Sequence, residues 1–80
     1  MASLMENLIA TLGDLCEEYE NLLGLSTQKK PVIIAGNLEE LSKITDEEQI
    51  VVSRINQLDR KRQEVVRDIA NVVNRDVEDL

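Results

Sequence analysis

Ala35-Gly36-Asn37-Leu38-Glu39-Glu40 is the stretch that decides how this 80-residue chain folds. Gly36 can take the left-handed conformation that closes a helix. Asn37 can cap the next helix, with Glu40 three residues later completing a capping box. On either side apolar residues recur at alternating steps of four and three, the rhythm of packed helices, and no period-2 alternation competes with it. Upstream the seam reads Leu8, Leu12, Leu15, Tyr19, Leu22, Ser26, Lys29, Ile33. Downstream it reads Val51, Ile55, Leu58, Arg62, Val65, Ile69, Val72, Asp76. Flanking residues widen each seam: Ile9, Cys16 and Leu23 on the first, Val52, Val66 and Val73 on the second. That breadth suits helices that touch more than one neighbour.

The pattern predicts one domain over 1–80, with helix one at about 4–35, a turn at 36–37 and helix two at about 38–78. Each helix is then roughly 45–60 Å long at 1.5 Å per residue. Such a turn opposes residues whose numbers add to 73 or 74. Leu22 then meets Val51, Tyr19 meets Ile55, Leu15 meets Leu58, Leu8 meets Val65, Leu4 meets Ile69, and Ile33 meets Leu41 near the turn. Two separately found seams agree in this register, so the expected fold is all-α: an antiparallel helical hairpin that completes a bundle by self-association or with a further helix. Pro31 removes the bond to the Thr27 carbonyl, which predicts a kink or local break around 27–31. Opposite lies Thr45-Asp46-Glu47-Glu48, a second candidate cap from which helix two could restart, leaving Asn37–Ile44 as a short helix of its own. Lys29 and Lys30 can reach Glu47 or Glu48 across this polar layer.

Composition narrows the function. With no Phe or Trp and one Tyr, the core is aliphatic, and 42% hydrophobic residues are too many for simple disorder. The net charge is −7: residues 1–40 carry 2 basic and 7 acidic groups, residues 41–80 carry 7 and 9. An acidic chain without a basic face repels phosphate, which argues against nucleic acid and anionic membranes as partners. Residues 1–20 lack the basic start and long apolar run of a signal peptide. No apolar run approaches the ~20 residues needed to span a bilayer, so a cytoplasmic protein is expected. The lone Cys16 cannot form an internal disulfide.

Catalytic and metal-binding patterns are missing. There is no His and no Gly-rich phosphate loop. The acidic clusters lack the spacing and Gly of a calcium loop, and one Cys cannot build a zinc site. No enzyme and no cofactor are expected. Cys16 and Tyr19 read as core residues, the tyrosine with its hydroxyl at the rim. Arg60-Lys61-Arg62 reads as local ion pairs with a snorkelling Arg62 stem. One feature calls for a partner: Val66, Ile69, Val72, Val73, Val77 and Leu80 carry the apolar stripe of helix two past the last residues of helix one that could cover it. These are the candidate partner-binding residues.

Leu12–Val73 resembles the FlgN family of flagellar export chaperones. The likeness lies in the first-helix stretch Leu15-Cys16-Glu17-Glu18-Tyr19-Glu20-Asn21-Leu22-Leu23, the junction Ala35–Leu41, Thr45-Asp46-Glu47-Glu48-Gln49, and the run Ile55–Arg62. The resemblance implies a cytoplasmic chaperone that holds hook–filament junction proteins before export through the flagellar type III apparatus. Such chaperones shield a terminal, assembly-prone helical segment of the client without ATP, a helix-in-groove mode. The chain departs from the family at Pro31. Family members also continue beyond this point, with client binding expected toward their C-terminal part, and Arg75–Leu80 reads like the approach to another helix. A homodimer is the competing partner state, and a structural coiled-coil or oligomerisation module without a client is the rival function.

Overall fold

A computed structural model describes residues 3–78, with side chains described as far as Asp76. Two helices make up the fold, α1 (Leu4–Ala35) and α2 (Leu38–Glu78). They pack antiparallel into a rod of 65 × 19 × 14 Å, all-α with no strand among the described residues.

The start of α1 is capped by Ser3, whose hydroxyl accepts the Glu6 N–H at 3.1 Å. Its end is a Schellman motif: Gly36 sits at φ 69°, ψ 23°, the Gly36 N–H donates to the Ile33 carbonyl (3.1 Å), and the Asn37 N–H donates to the Val32 carbonyl (3.3 Å). Asn37 Oδ1 then accepts the Glu40 N–H at 3.1 Å and caps α2. Only half of the expected capping box forms. The Asn37 N–H that a Glu40 carboxylate would have engaged is already committed to Val32, so the two termini share one residue and the helices meet through a very short turn.

Neither helix is broken at the expected points. Helix α1 continues through Pro31, which lies on an exposed face where its ring costs one backbone bond without ending the helix. Helix α2 does not restart at Thr45. The Thr45 hydroxyl donates to the Leu41 carbonyl at 2.9 Å, and Thr11 and Thr27 bond Asn7 and Leu23 in the same way at 2.8 and 2.9 Å. A threonine hydroxyl bonded four residues back stays within a continuous helix, at the cost of a slight weakening or bend at that turn.

Leu15, Val51 and Ile55 form the core, with Leu22, Leu25 and Leu58 packed against them. Ile44 and Val65 are buried along α2 to either side. The α2 seam is the one expected, from Val51 through Ile55, Leu58, Arg62 and Val65 to Ile69. The α1 seam is not. It runs Leu4, Leu8, Thr11, Leu15, Glu18, Leu22, Leu25, Lys29, Val32, so every second rung lies one residue earlier than predicted. Thr11, not Leu12, faces α2 and is 1% exposed; Leu12 is 44% exposed. Glu18 replaces Tyr19, Leu25 replaces Ser26, and Val32 replaces Ile33, so Tyr19 does not join Ile55 and Ile33 does not meet Leu41 in the interior. Cys16, expected to be buried, is exposed. Both rungs follow the same four-three spacing, and it is the turn that chooses between them. Leaving Gly36 in the left-handed region, it lays α2 on the face that carries Val32.

Three polar layers interrupt the seam. Near the turn, Glu48 accepts the Ser26 hydroxyl on Oε2 (3.3 Å) and pairs with Lys29 Nζ through Oε1 (2.6 Å), as the lysine–glutamate reading anticipated. Mid-rod, Glu18 has an Oε2 with no hydrogen-bond partner and lies 4.0 Å from the Arg54 guanidinium. At the distal end Arg62 is half-buried and donates from Nε to Asp59 (2.9 Å), which also accepts from Gln63.

Two outcomes follow from these contacts. Gly36→Ala, with open space around the added methyl but a positive φ, should cost about 1 kcal/mol in urea unfolding. An unchanged midpoint would mean that the turn does not need its left-handed residue. Glu18→Leu should stabilise the hairpin by roughly 1 kcal/mol in the same assay, because it replaces a poorly satisfied seam carboxylate by an apolar side chain. A lower midpoint would show that the Arg54 pairing outweighs that desolvation.

Candidate functional site

A step of one residue turns about 100° around an α-helix. Because α2 runs opposite to α1, that step from either seam leads to the same flank of the hairpin. On α1 this flank carries Met5, Ile9, Leu12, Cys16, Tyr19, Leu23 and, near the turn, Ile33, all exposed. On α2 it carries Val52, Val66 and Val73, also exposed. A shallow groove lined by Leu22, Thr45, Glu48, Gln49, Val52 and Ser53 runs between them near the turn.

The other flank differs in chemistry. Its grooves are rimmed by Glu20, Asn21, Gln28, Glu47 and Arg54 towards the turn, over Leu25 and Val51, and by Asp14, Glu17, Gln57 and Lys61 further out, beside Leu58. Ile50 is the one large apolar side chain exposed along it. The rod thus has a wet, charged side and an apolar side that nothing covers among the described residues. Isolated exposed apolar residues are ordinary, but a contiguous stripe of them marks an interaction surface.

The candidate partner-binding residues fall in three places. Val66 and Val73 lie on the apolar flank, 43% and 53% exposed. Val72 continues the seam and is 46% exposed, since the 41-residue α2 is longer than the 32-residue α1 it packs against. Ile69 is half-buried and belongs to the hairpin seam. The Val77 side chain and all of Leu80 lie outside the described residues. Sequence reasoning missed the α1 half of the flank. The four-three spacing by itself puts Leu12 and Tyr19 in the seam, with Ile9, Cys16 and Leu23 as its margin. The available signal was that margin itself, which repeats every seven residues and so forms a second stripe once Leu12 and Tyr19 join it.

Among the described residues no three His, Cys, Asp or Glu side chains gather as a metal site, and no helix is long and apolar enough to cross a membrane. Arrangement and chemistry together define a class: an all-α hairpin with one charged flank and one apolar flank open to further helices. Comparison with protein families makes this more particular. The family model described as FlgN protein matches residues 1–79, and the chain belongs to the FlgN family, a family of flagellar chaperones and not of enzymes. No curated protein and no solved structure matches it significantly.

The division between seam and flank is measurable. Leu15→Ala should cost about 2–4 kcal/mol in urea unfolding, as buried leucines do. Leu12→Ala and Tyr19→Ala should each cost less than about 1 kcal/mol, as surface changes do. Equal losses at positions 12 and 15 would return Leu12 to the seam.

Proposed function

We propose that this chain is a flagellar type III export chaperone that binds and shields an amphipathic terminal helical segment of hook–filament junction proteins before export, without ATP. Membership of the FlgN family supports the flagellar setting. The observation that carries the binding mode is the exposed apolar flank, which offers heptad-spaced side chains along a rigid rod, the surface an amphipathic helix needs. A holding function requires no catalytic group.

In this reading Val66, Ile69, Val72 and Val73, continued by Val77 and Leu80, form the client-contacting end, with Ile69 holding the others through the hairpin seam. The chaperone works in the cytoplasm, where the client awaits export. A surface of net charge −7 keeps the complex soluble and favours basic partners in the export apparatus. Homodimerisation through the same flank would compete with the client for apolar surface.

Light scattering on a sizing column tests the reading directly. The protein alone should run as a monomer or loose dimer and shift to a defined complex near 1:1 with a hook–filament junction protein. Val72→Asp combined with Val73→Asp should abolish that complex while leaving the circular-dichroism helix signal intact. A closed oligomer indifferent to the client would instead identify a structural oligomerisation module. Melting of the double variant would place those valines in the hairpin core.

A further inference from the structure

Helix α1 carries two complete seams. The first faces α2. The second consists of Met5, Ile9, Leu12, Cys16, Tyr19 and Leu23, spaced four, three, four, three, four, and lies about 100° round the helix from the first. Adjacent seams nearly at right angles are what a helix shows when it packs against two neighbours, and among the described residues α1 has one. The matching stripe on α2 is interrupted: Asn56, Asp59 and Gln63 lie between Val52 and Val66. The vacant position is therefore a seat on α1, six rungs and roughly 27 Å long at 1.5 Å per residue.

Charge identifies the occupant. The outer edge of the seat carries Glu6 and Glu20, both exposed and neither ion-paired among the described residues; Glu20, and Glu17 beyond it, also border the grooves of the charged flank round the back of α1. Residues 1–28 contain Glu6, Asp14, Glu17, Glu18 and Glu20 and not one Lys or Arg. A second copy fits poorly in either orientation. Laying α1 on its own copy sets this acidic stretch against itself, and laying α1 on the α2 of a copy sets its leucines against that helix's polar interruption. Like charges along a helix edge discriminate against a pairing, and opposite charges select for one.

We propose that the outer seam of α1 is the seat for a single amphipathic helix from a partner, at least about 19 residues long, with aliphatic rungs at the same four-three spacing and Lys or Arg along the edge that meets Glu6 and Glu20. This deepens the chaperone reading by adding to the valine end of α2 a seat along α1 and the chemistry of the segment bound there. It rests on that reading only for the segment's biological source.

Cys16 sits in the middle of the seat and reports its occupancy. Two synthetic 21-residue helical peptides share leucine rungs at four-three spacing, one with lysines and the other with glutamates on the edge. The reaction of Cys16 with a thiol reagent is followed in the presence of each. The lysine-edged peptide should slow Cys16 by about tenfold or more at saturation. It should also bind roughly fivefold to tenfold tighter than its twin, a preference that shrinks with added salt. Glu6→Lys with Glu20→Lys should reverse the preference, and Leu12→Glu should remove binding of both peptides without loss of helix signal.

Binding without protection of Cys16, or a preference that ignores the charge swap, overturns the proposal. So does a Cys16 already protected in the peptide-free protein, whether by dimerisation or by the protein's own chain. The same thiol measurement on the complex with a hook–filament junction protein separates the two ideas. A formed complex with a freely reactive Cys16 refutes this seat and leaves the chaperone function standing. Peptide binding without any client complex does the reverse.

Discussion

The whole arrangement depends on the turn at Gly36–Asn37. One left-handed glycine lets the last carbonyls of α1 be satisfied by the N–H groups of residues 36 and 37, and the next side chain caps α2 at once. So short a connection leaves the second helix little freedom to rotate about the first. It fixes both the register and the face of α1 that is covered, and it selects the face carrying Thr11, Glu18, Leu25 and Val32 over the more apolar one beside it. Three large aliphatic side chains stay exposed around the turn as a result, Ile34 and Leu38 at 78% each and Ile33 at 58%.

The consequence is an interior less apolar than the sequence could have supplied. A seam built on Leu12, Tyr19, Ser26 and Ile33 would hide more hydrophobic surface than the one built on Thr11, Glu18, Leu25 and Val32, with Lys29 common to both. Small chains bury a modest share of their surface, and their margin of stability is correspondingly narrow. A hairpin that leaves Leu12, Tyr19 and Leu23 in water forgoes stabilisation it could have had. That surplus apolar area is then free to contribute to association. The polar seam residues also set register. Glu48 engages both Ser26 and Lys29, and Arg54 faces Glu18, so a slip by one heptad would strand charges against leucines.

Charge is distributed in keeping with this division. The flank rich in Asp14, Glu17, Glu47, Arg54 and Lys61 is solvated on both helices, whereas the charges beside the apolar stripe of α1 are Glu6 and Glu20, the latter shared with the charged groove. Apolar contact supplies most of the energy of a helix–helix interface, and edge charges supply selectivity. Membership of a chaperone family fits a protein whose stable part is a stiff rod and whose unsatisfied part is one side of it.

The sequence by itself determined the elements, the turn and the pairing register. These rest on local chemistry: a glycine and an asparagine at the turn, and two heptad patterns that meet only when residue numbers add to 73 or 74. It also identified the family resemblance and the uncovered valines of α2. Only the tertiary structure decided which of two adjacent stripes on α1 faces inward. Leu8, Leu15 and Leu22 belong to either choice, and Thr11 with Glu18 competes on equal spacing with Leu12 and Tyr19. Hydrophobicity favoured the second pair, and the turn imposed the first. Periodicity records which residues share a face, but the rotation of one helix against another is set by the geometry of the turn that joins them.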